Sequence, residues 1–219
     1  MGRLVAISFD DGYLEYMRII HLLSKLGVKA SFYITTHLDT WEGKPLLAKK
    51  PELIAEIAEL GHEIGSHTCT HRDLRSCNES DLVYELKRSK HFLEDVTGKE
   101  ILGIAYPWGF YNSKVLTMTS RYYSYGRTTE YILDGSTLLN APPRSRYEIG
   151  AVAGLAARHG FQKMLRNLLK VKHWHLVLYT HAVQPIKLTA FIKIMQSINV
   201  AFVTVSELVA HLMREYELK

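Results

Sequence analysis

Asp10 and Asp11 stand side by side after the apolar run Leu4-Val5-Ala6-Ile7, and Gly12 follows them. Adjacent like charges are costly unless something positive separates their roles, and a metal ion is the usual solution. One carboxylate can bind the ion while its neighbour stays free as a base. A plain Asp-Asp-Gly surface turn is the competing reading, since both residue types favour turns. His67-Thr68-Cys69-Thr70-His71 shifts the balance. Histidines four apart on one helical turn share a face and can grip one ion. Joined by Asp11 they make a two-histidine, one-carboxylate set. Three protein ligands leave positions open for water, whose pKa a divalent ion lowers toward ~7, and this is the pattern of a catalytic site. Cys69 would point away from the ion on such a turn and counts as packing. His181, closing Leu178-Tyr179-Thr180, suits a proton donor to a leaving group because imidazole titrates near neutrality. The other eight histidines, His37, His62 and His211 among them, are read as structural or solvated.

These residues need a scaffold that brings them together. Short apolar runs read as strands at 4–7, 30–35, 62–66, 101–106, 122–128, 147–153, 176–180 and 200–205. Between them lie helical patterns. Leu14, Met17, Ile20, Leu23 and Leu26 recur at helical spacing and Gly27 ends the run. Pro51 opens a helix through Leu60, a favoured place for proline. Ser80 to Val96 reads as a charged amphipathic helix, and 113–121, 154–172, 187–198 and 206–216 as further helices. Residues 36–50 and 129–146 read as loops. Strands alternating with helices imply parallel pairing through right-handed crossovers, and seven or eight such units suggest a barrel or a distorted barrel. Function in such folds collects at the carboxyl ends of the strands. Asp10-Asp11, His67 to His71, Pro107-Trp108-Gly109 and His181 all follow strand-like runs.

The 219 residues, 47% of them hydrophobic, suit one domain over 1–219 with a sizeable core and are too apolar for disorder. No apolar run is long enough to span a membrane, and Met1-Gly2-Arg3 leaves no room for a signal peptide before the first strand. A cytoplasmic location is the expectation. Two cysteines, Cys69 and Cys77, make no disulfide framework and fit a reducing compartment. A net charge of +5 suits an anionic partner or surface without specifying one. Nucleic acid is not expected as a partner.

In order and rough spacing, Ser8-Phe9-Asp10-Asp11-Gly12, His67-Thr68-Cys69-Thr70-His71, Tyr106-Pro107-Trp108-Gly109 and Leu178-Tyr179-Thr180-His181 resemble four signatures of the polysaccharide deacetylases, the NodB-like carbohydrate esterases of family four. The resemblance runs from Leu4 to about Leu208. It implies an α/β fold, a distorted (β/α) barrel of about seven parallel strands in a single domain. It implies removal of an N-acetyl or O-acetyl group from an amino-sugar or oligosaccharide with one divalent ion, zinc ahead of cobalt, nickel or manganese. By position, Asp10 becomes the general base, Asp11, His67 and His71 the metal ligands, and His181 the general acid. The Trp108 backbone N–H becomes an oxyanion donor and Tyr106 a substrate contact. Asp10→Asn and His181→Ala are then expected to slow turnover while barely moving stability.

Two departures stand out. Many members carry arginine two residues before the proline, paired with the base aspartate, and Ala105 stands there here. A metal-site base needs a partner to hold its charge and orientation. Arg144, after the stiffening Pro142-Pro143, is the candidate to reach the site, beside Asp10 or against the substrate. The family's fourth motif, rich in Asp and Trp, is not recognisable in 129–146. The helix at 154–172 carries Arg158, Lys163, Arg166, Lys170 and Lys172. It reads as a packed helix with a solvated basic face, and a membrane-surface role is the secondary reading. Two rival functions are hydrolysis of a cyclic amide or ureide, which some relatives perform, and a non-catalytic sugar-binding module. The intact ligand set argues against a metal-free version of the first, and the presence of both Asp10 and His181 against the second.

Overall fold

A computed structural model describes residues 2–129, 143–153, 174–182 and 184–216. The strands in chain order are β1 (Arg3–Phe9), β2 (Ser31–Ile34), the short pair β3 (Thr40–Trp41) and β4 (Lys44–Pro45), β5 (Glu63–Ser66), β6 (Gly103–Ala105), β7 (Tyr125–Thr129), β8 (Ile149–Ala153), β9 (Trp174–Thr180) and β10 (Val200–Val203). The helices are α1 (Met17–Lys25), α2 (Pro51–Glu59), α3 (Glu79–Val83), α4 (Ser89–Thr97), α5 (Ser113–Thr119), α6 (Pro185–Ser197) and α7 (Val205–Tyr216). The long charged helix of the sequence is α3 and α4 joined by a π-helical turn, Tyr84–Arg88.

β1 closes the sheet. One edge pairs with β9 from Arg3↔Trp174 to Phe9↔Thr180. The other edge pairs with β10 through Arg3–Ala6 and with β2 through Ser8 and Phe9. The circuit β1-β2-β5-β6-β7-β8-β9 therefore returns to β1 as a closed barrel of seven parallel strands, and β10 fills the stretch of β1 that β2 leaves. The expected distorted (β/α) barrel is the fold.

Side-chain alternation along the strands makes two cores. Val5, Ile7 and Phe9 face outward with Phe32, Ile64 and Ile104 and pack on Ile19, Ile20 and Leu23 of α1, Ile54 and Ile57 of α2 and Leu93 of α4. Ala6, Tyr33, Ala105, Tyr125, Ala151 and Val177 form a second cluster with Val205, Leu208 and Leu212 of α7. This second cluster is the barrel's interior. Small residues make room there for two large rings: a Cβ at Gly65 would run into Tyr33, and one at Gly103 into Tyr125. At the base, the Glu63 carboxylate accepts from Ser31 Oγ (2.5 Å), the Tyr125 hydroxyl (2.6 Å) and the Ser206 amide (3.1 Å), which caps the start of α7.

The loop expected at 36–50 holds the β3–β4 hairpin, whose partners are Thr40↔Pro45 and Trp41↔Lys44. The basic helix at 154–172 lies outside the described residues, as does most of 129–146. Among the described residues no helix is long and apolar enough to cross a membrane. Cys69 and Cys77 are buried free thiols.

Candidate active site

The strand ends converge on a cavity of about 270 Å³ lined by Asp10, Asp11, His67, His71, Tyr106, Trp108, Tyr179 and His181, together with Trp41 and Glu42 of the hairpin. β1 delivers the two carboxylates. The Asp10 amide donates to the Thr180 carbonyl (3.2 Å), which prolongs the β1–β9 ladder by one step. Asp11 then turns left-handed at φ 69° and Gly12 follows at φ 80°. That reversal lets adjacent carboxylates face different partners, Asp10 meeting β7 and Asp11 the loop after β5.

The loop after β5 brings both histidines to Asp11. His67 Nε2 lies 3.3 Å and His71 Nε2 3.2 Å from Asp11 Oδ1. The three ligand atoms lie within 4.8 Å of one another and all three residues are buried. The segment is not the helical turn expected from the spacing. Thr68 (φ 68°) and His71 (φ 55°) are left-handed, and the rings meet at 4.8 Å between centroids across a tight irregular loop. The His71 amide donates to Thr68 Oγ1 (3.1 Å) and the Thr68 amide to Ser66 Oγ (3.0 Å), so hydroxyls supply the acceptors that a helix would have provided.

These residues fit a divalent cation. His67 Nδ1 lies 2.8 Å from the Ala105 carbonyl, which can only accept, so Nδ1 carries the proton. With one proton on the ring, the lone pair then sits at Nε2 and points toward a carboxylate oxygen. Asp11 Oδ1 is buried with no hydrogen-bond partner among the described residues. Lone pairs of two imidazoles and a carboxylate aimed at one point repel unless a cation sits among them. Burial alone would raise the Asp11 carboxyl, but the contacts with His67 and His71 hold it far below the usual carboxylate range. Burial pushes the His71 imidazole below its ordinary value against the pull of Asp11, leaving it neutral at neutral pH. Burial pushes the Cys69 thiol up to about 12, and its Sγ–H faces the Tyr84 carbonyl at 3.6 Å. Cys69 packs, as the sequence suggested.

Asp10 is held by a residue that the sequence reading missed. Arg127 Nη2 donates to Asp10 Oδ2 at 2.5 Å, and the arginine is fully buried. Its guanidinium lies over the rings of Tyr33 (5.2 Å) and Tyr179 (5.3 Å), two cation–π contacts that help offset burial. The register pairs Ala105 directly with Arg127. Where the resemblance leads one to expect an arginine at position 105, the adjacent strand supplies one at the same level, and the small Ala105 side chain leaves the barrel interior open to it. Arg144 therefore does not hold Asp10: it is exposed in the turn before β8. The missed signal was an arginine inside Tyr125-Gly126-Arg127-Thr128, since strands of a parallel barrel are buried on both faces and an unpaired charge there is costly.

The rim is open. Trp108, left-handed at φ 61°, is 50% exposed, and Phe110 beside it 41%. Trp41 packs on His71 (4.4 Å between centroids) and edges against Trp108 (6.1 Å). His181 Nε2 stands 3.8 Å from Asp11 Oδ2, with its side chain half in water. Tyr106 belongs to the wall: it is fully buried and its hydroxyl donates to the Tyr147 carbonyl at 3.1 Å. It shapes the cavity, and its hydroxyl is committed to a structural partner. Among the described residues, four of the six left-handed non-glycine residues, Asp11, Glu42, His71 and Trp108, line this one cavity, which concentrates backbone strain where the candidate ligands converge.

The family model described as polysaccharide deacetylase matches residues 1–124. Over 107 residues the chain is 31% identical to the peptidoglycan-N-acetylglucosamine deacetylase of Bacillus cereus, covering 48% of this chain and 36% of that protein. Over 120 residues it is 28% identical to the peptidoglycan-N-acetylmuramic acid deacetylase PdaA of Bacillus subtilis, covering 53% and 43%. The match thus spans less than half the length of these curated relatives. A family 4 carbohydrate esterase from Bacillus anthracis shares the fold, with a TM-score of 0.67 at 20% identity over 95% of this chain and 83% of that one.

Proposed function

Because the chain belongs to the polysaccharide deacetylase family, we propose that it hydrolyses an acetyl group from an amino-sugar or oligosaccharide, with a divalent ion, zinc first, held by Asp11, His67 and His71. The observation that carries the reading is the His67 tautomer. With Nδ1–H committed to the Ala105 carbonyl, three buried lone-pair donors converge on one point beside a second carboxylate. An ion bound there supplies Lewis acidity, polarising the acetyl carbonyl and making water a stronger acid.

The chain's own groups do the rest. Asp10 is the base that takes a proton from the attacking water, and Arg127 pairs with its carboxylate and aims it. The Trp108 N–H takes the role of donor to the oxyanion that develops on the acetyl carbonyl oxygen, a task backbone amides perform without reorganising. His181, at the end of β9 beside the metal-site candidates, gives a proton to the departing sugar nitrogen or oxygen. Its exposure lets it exchange that proton with solvent after each turnover. Trp41, Trp108 and Phe110 offer apolar ring faces at the rim, which suit the C–H faces of a sugar.

The test is release of acetate from a panel of N- and O-acetylated sugar monomers and oligomers, using chelated protein and protein restored with zinc, alongside elemental analysis of wild type and His71→Ala. Acetate from one substrate class, lost on chelation and recovered with metal, is the expected result. Equal metal content in wild type and His71→Ala, or release that ignores chelation, overturns the assignment.

A further inference from the structure

Outside the cavity, the most heavily engaged buried carboxylate is Glu85, 1% exposed in the π-helical turn between α3 and α4. It faces the loop that carries both histidines. Glu85 Oε2 accepts from the Cys69 amide (2.8 Å) and the Thr70 amide (2.9 Å), and Oε1 accepts from the Thr70 hydroxyl (2.5 Å). Arg72 Nε lies 3.7 Å away at the surface side. The two held amides belong to the residues midway between His67 and His71.

The other backbone groups of the loop are tied elsewhere. The Thr68 and Cys69 carbonyls accept from the Thr36 and His37 amides at the exit of β2 (3.1 and 2.9 Å). Glu85 thus grips the loop from the helix side while β2 grips it from the barrel side. The grip is needed because Thr68 and His71 are left-handed without being glycine, a conformation that persists only where the surroundings over-determine it. The widened turn also buries Ser89, whose Oγ donates to the Glu85 carbonyl (2.6 Å) and meets Ser66 Oγ (2.8 Å), linking the helix to the strand that launches the loop. π-helical turns recur at functional sites for this kind of re-aiming.

We propose that Glu85 is a positioning residue for the metal-ligand loop: by holding the Cys69 and Thr70 amides it sets the His67–His71 separation before the ion arrives. The inference rests on the reading of Asp11, His67 and His71 as metal ligands. It concerns geometry rather than charge, and two conservative variants separate these. Glu85→Gln keeps the reach and loses the charge; Glu85→Asp keeps the charge and withdraws the acceptor.

The experiment is zinc affinity by competition with a chromogenic chelator, together with amide hydrogen exchange of the metal-free proteins. Positioning predicts that Glu85→Asp weakens zinc binding roughly 10–100-fold, the scale for groups that orient ligands, while Glu85→Gln stays within a few-fold of wild type. Cys69 and Thr70 amides should exchange slowly in metal-free wild type and Glu85→Gln and fast in Glu85→Asp. Equal affinities, or Glu85→Asp binding as well as Glu85→Gln, overturns the proposal. If Glu85→Asp does not fold, metal-free wild type decides: fast exchange at Cys69 and Thr70 overturns it. If wild type binds no metal, the functional reading fails, and the exchange rates alone judge Glu85.

Discussion

At the floor of the cavity Asp10, Asp11, His67, His71 and Arg127 are each at most 4% exposed, while at its rim Trp108 keeps half its surface in water and the His181 side chain nearly half. The floor is held from behind: Arg127 pairs with Asp10, the Ala105 carbonyl orients His67, and Glu85 braces the loop. Among the described residues, the polar contact of His181 is to the floor itself, 3.8 Å from Asp11. On the proposed function, floor residues have a chemical task and a folding task at once, whereas rim residues answer to whatever enters. The same substitution should therefore cost stability at the floor and spare it at the rim.

Asp10→Asn is the largest test. As a lost base it should lower kcat by roughly 10²–10⁴. The sequence reading expected stability to hardly move, but the buried pair changes that, because the variant strands a fully buried guanidinium. Breaking such a pair costs about 3–5 kcal/mol, measurable by urea unfolding. Adding Arg127→Met removes the stranded charge and should restore much of the stability with no recovery of rate. If Asp10→Asn unfolds at the wild-type urea concentration, the floor is not the dual-purpose region described here.

His181→Ala is the counterpart at the rim. Turnover should fall by a similar roughly 10²–10⁴, as for other general acids. Unfolding free energy should stay within about 0.5 kcal/mol, as at other exposed positions, and zinc content should match wild type. Loss of stability comparable to that of Asp10→Asn would erase the contrast between floor and rim. Retained turnover would remove His181 as the acid.

What the sequence disclosed follows the same division by locality. The candidate ligands were legible because their partners are close in the chain: Asp10 beside Asp11, His67 four before His71. The barrel was legible because β-branched runs and glycine stops alternate regularly. Arg127 was not, because its role needs the β6–β7 register that sets it beside Ala105. The non-helical histidine loop was not, because left-handed Thr68 and His71 leave no mark on periodicity. Glu85 sat unremarked in a charged amphipathic stretch, and the structure buries it in the π-helical turn. Trp41 lies in a stretch with no period, and a two-residue hairpin places it on His71.

The smallest effect tests whether acid acts on the site or on the fold. His62 lies at the opposite end of β5, 5% exposed, its Nδ1 accepting from the Ala30 amide at 3.2 Å. Burial lowers its imidazole from the ordinary 6.5, a contact with the Ile20 carbonyl pulls the other way, and the Lys29 charge adds to the lowering. At pH well above 6.5 neither folded nor unfolded chain carries this proton. As pH falls through 6.5 the unfolded chain takes it up and the folded chain does not, so stability declines. The slope from one such group is at most about 1.4 kcal/mol per pH unit. His175, His37 and His71 are lowered with burial as the leading cause and add slope of the same sign. Urea unfolding at pH 7.5, 6.5 and 5.5 should show this decline in wild type and a shallower one in His62→Gln, which loses one titrating group. The acidic limb of the rate, read on folded protein, should be the same in both, because His62 is remote from the cavity. Equal slopes for the two proteins would mean that His62 takes up its proton in the folded state. A rate limb that moves with His62→Gln would mean that acid inactivation is unfolding at the base of the barrel rather than titration at the cavity.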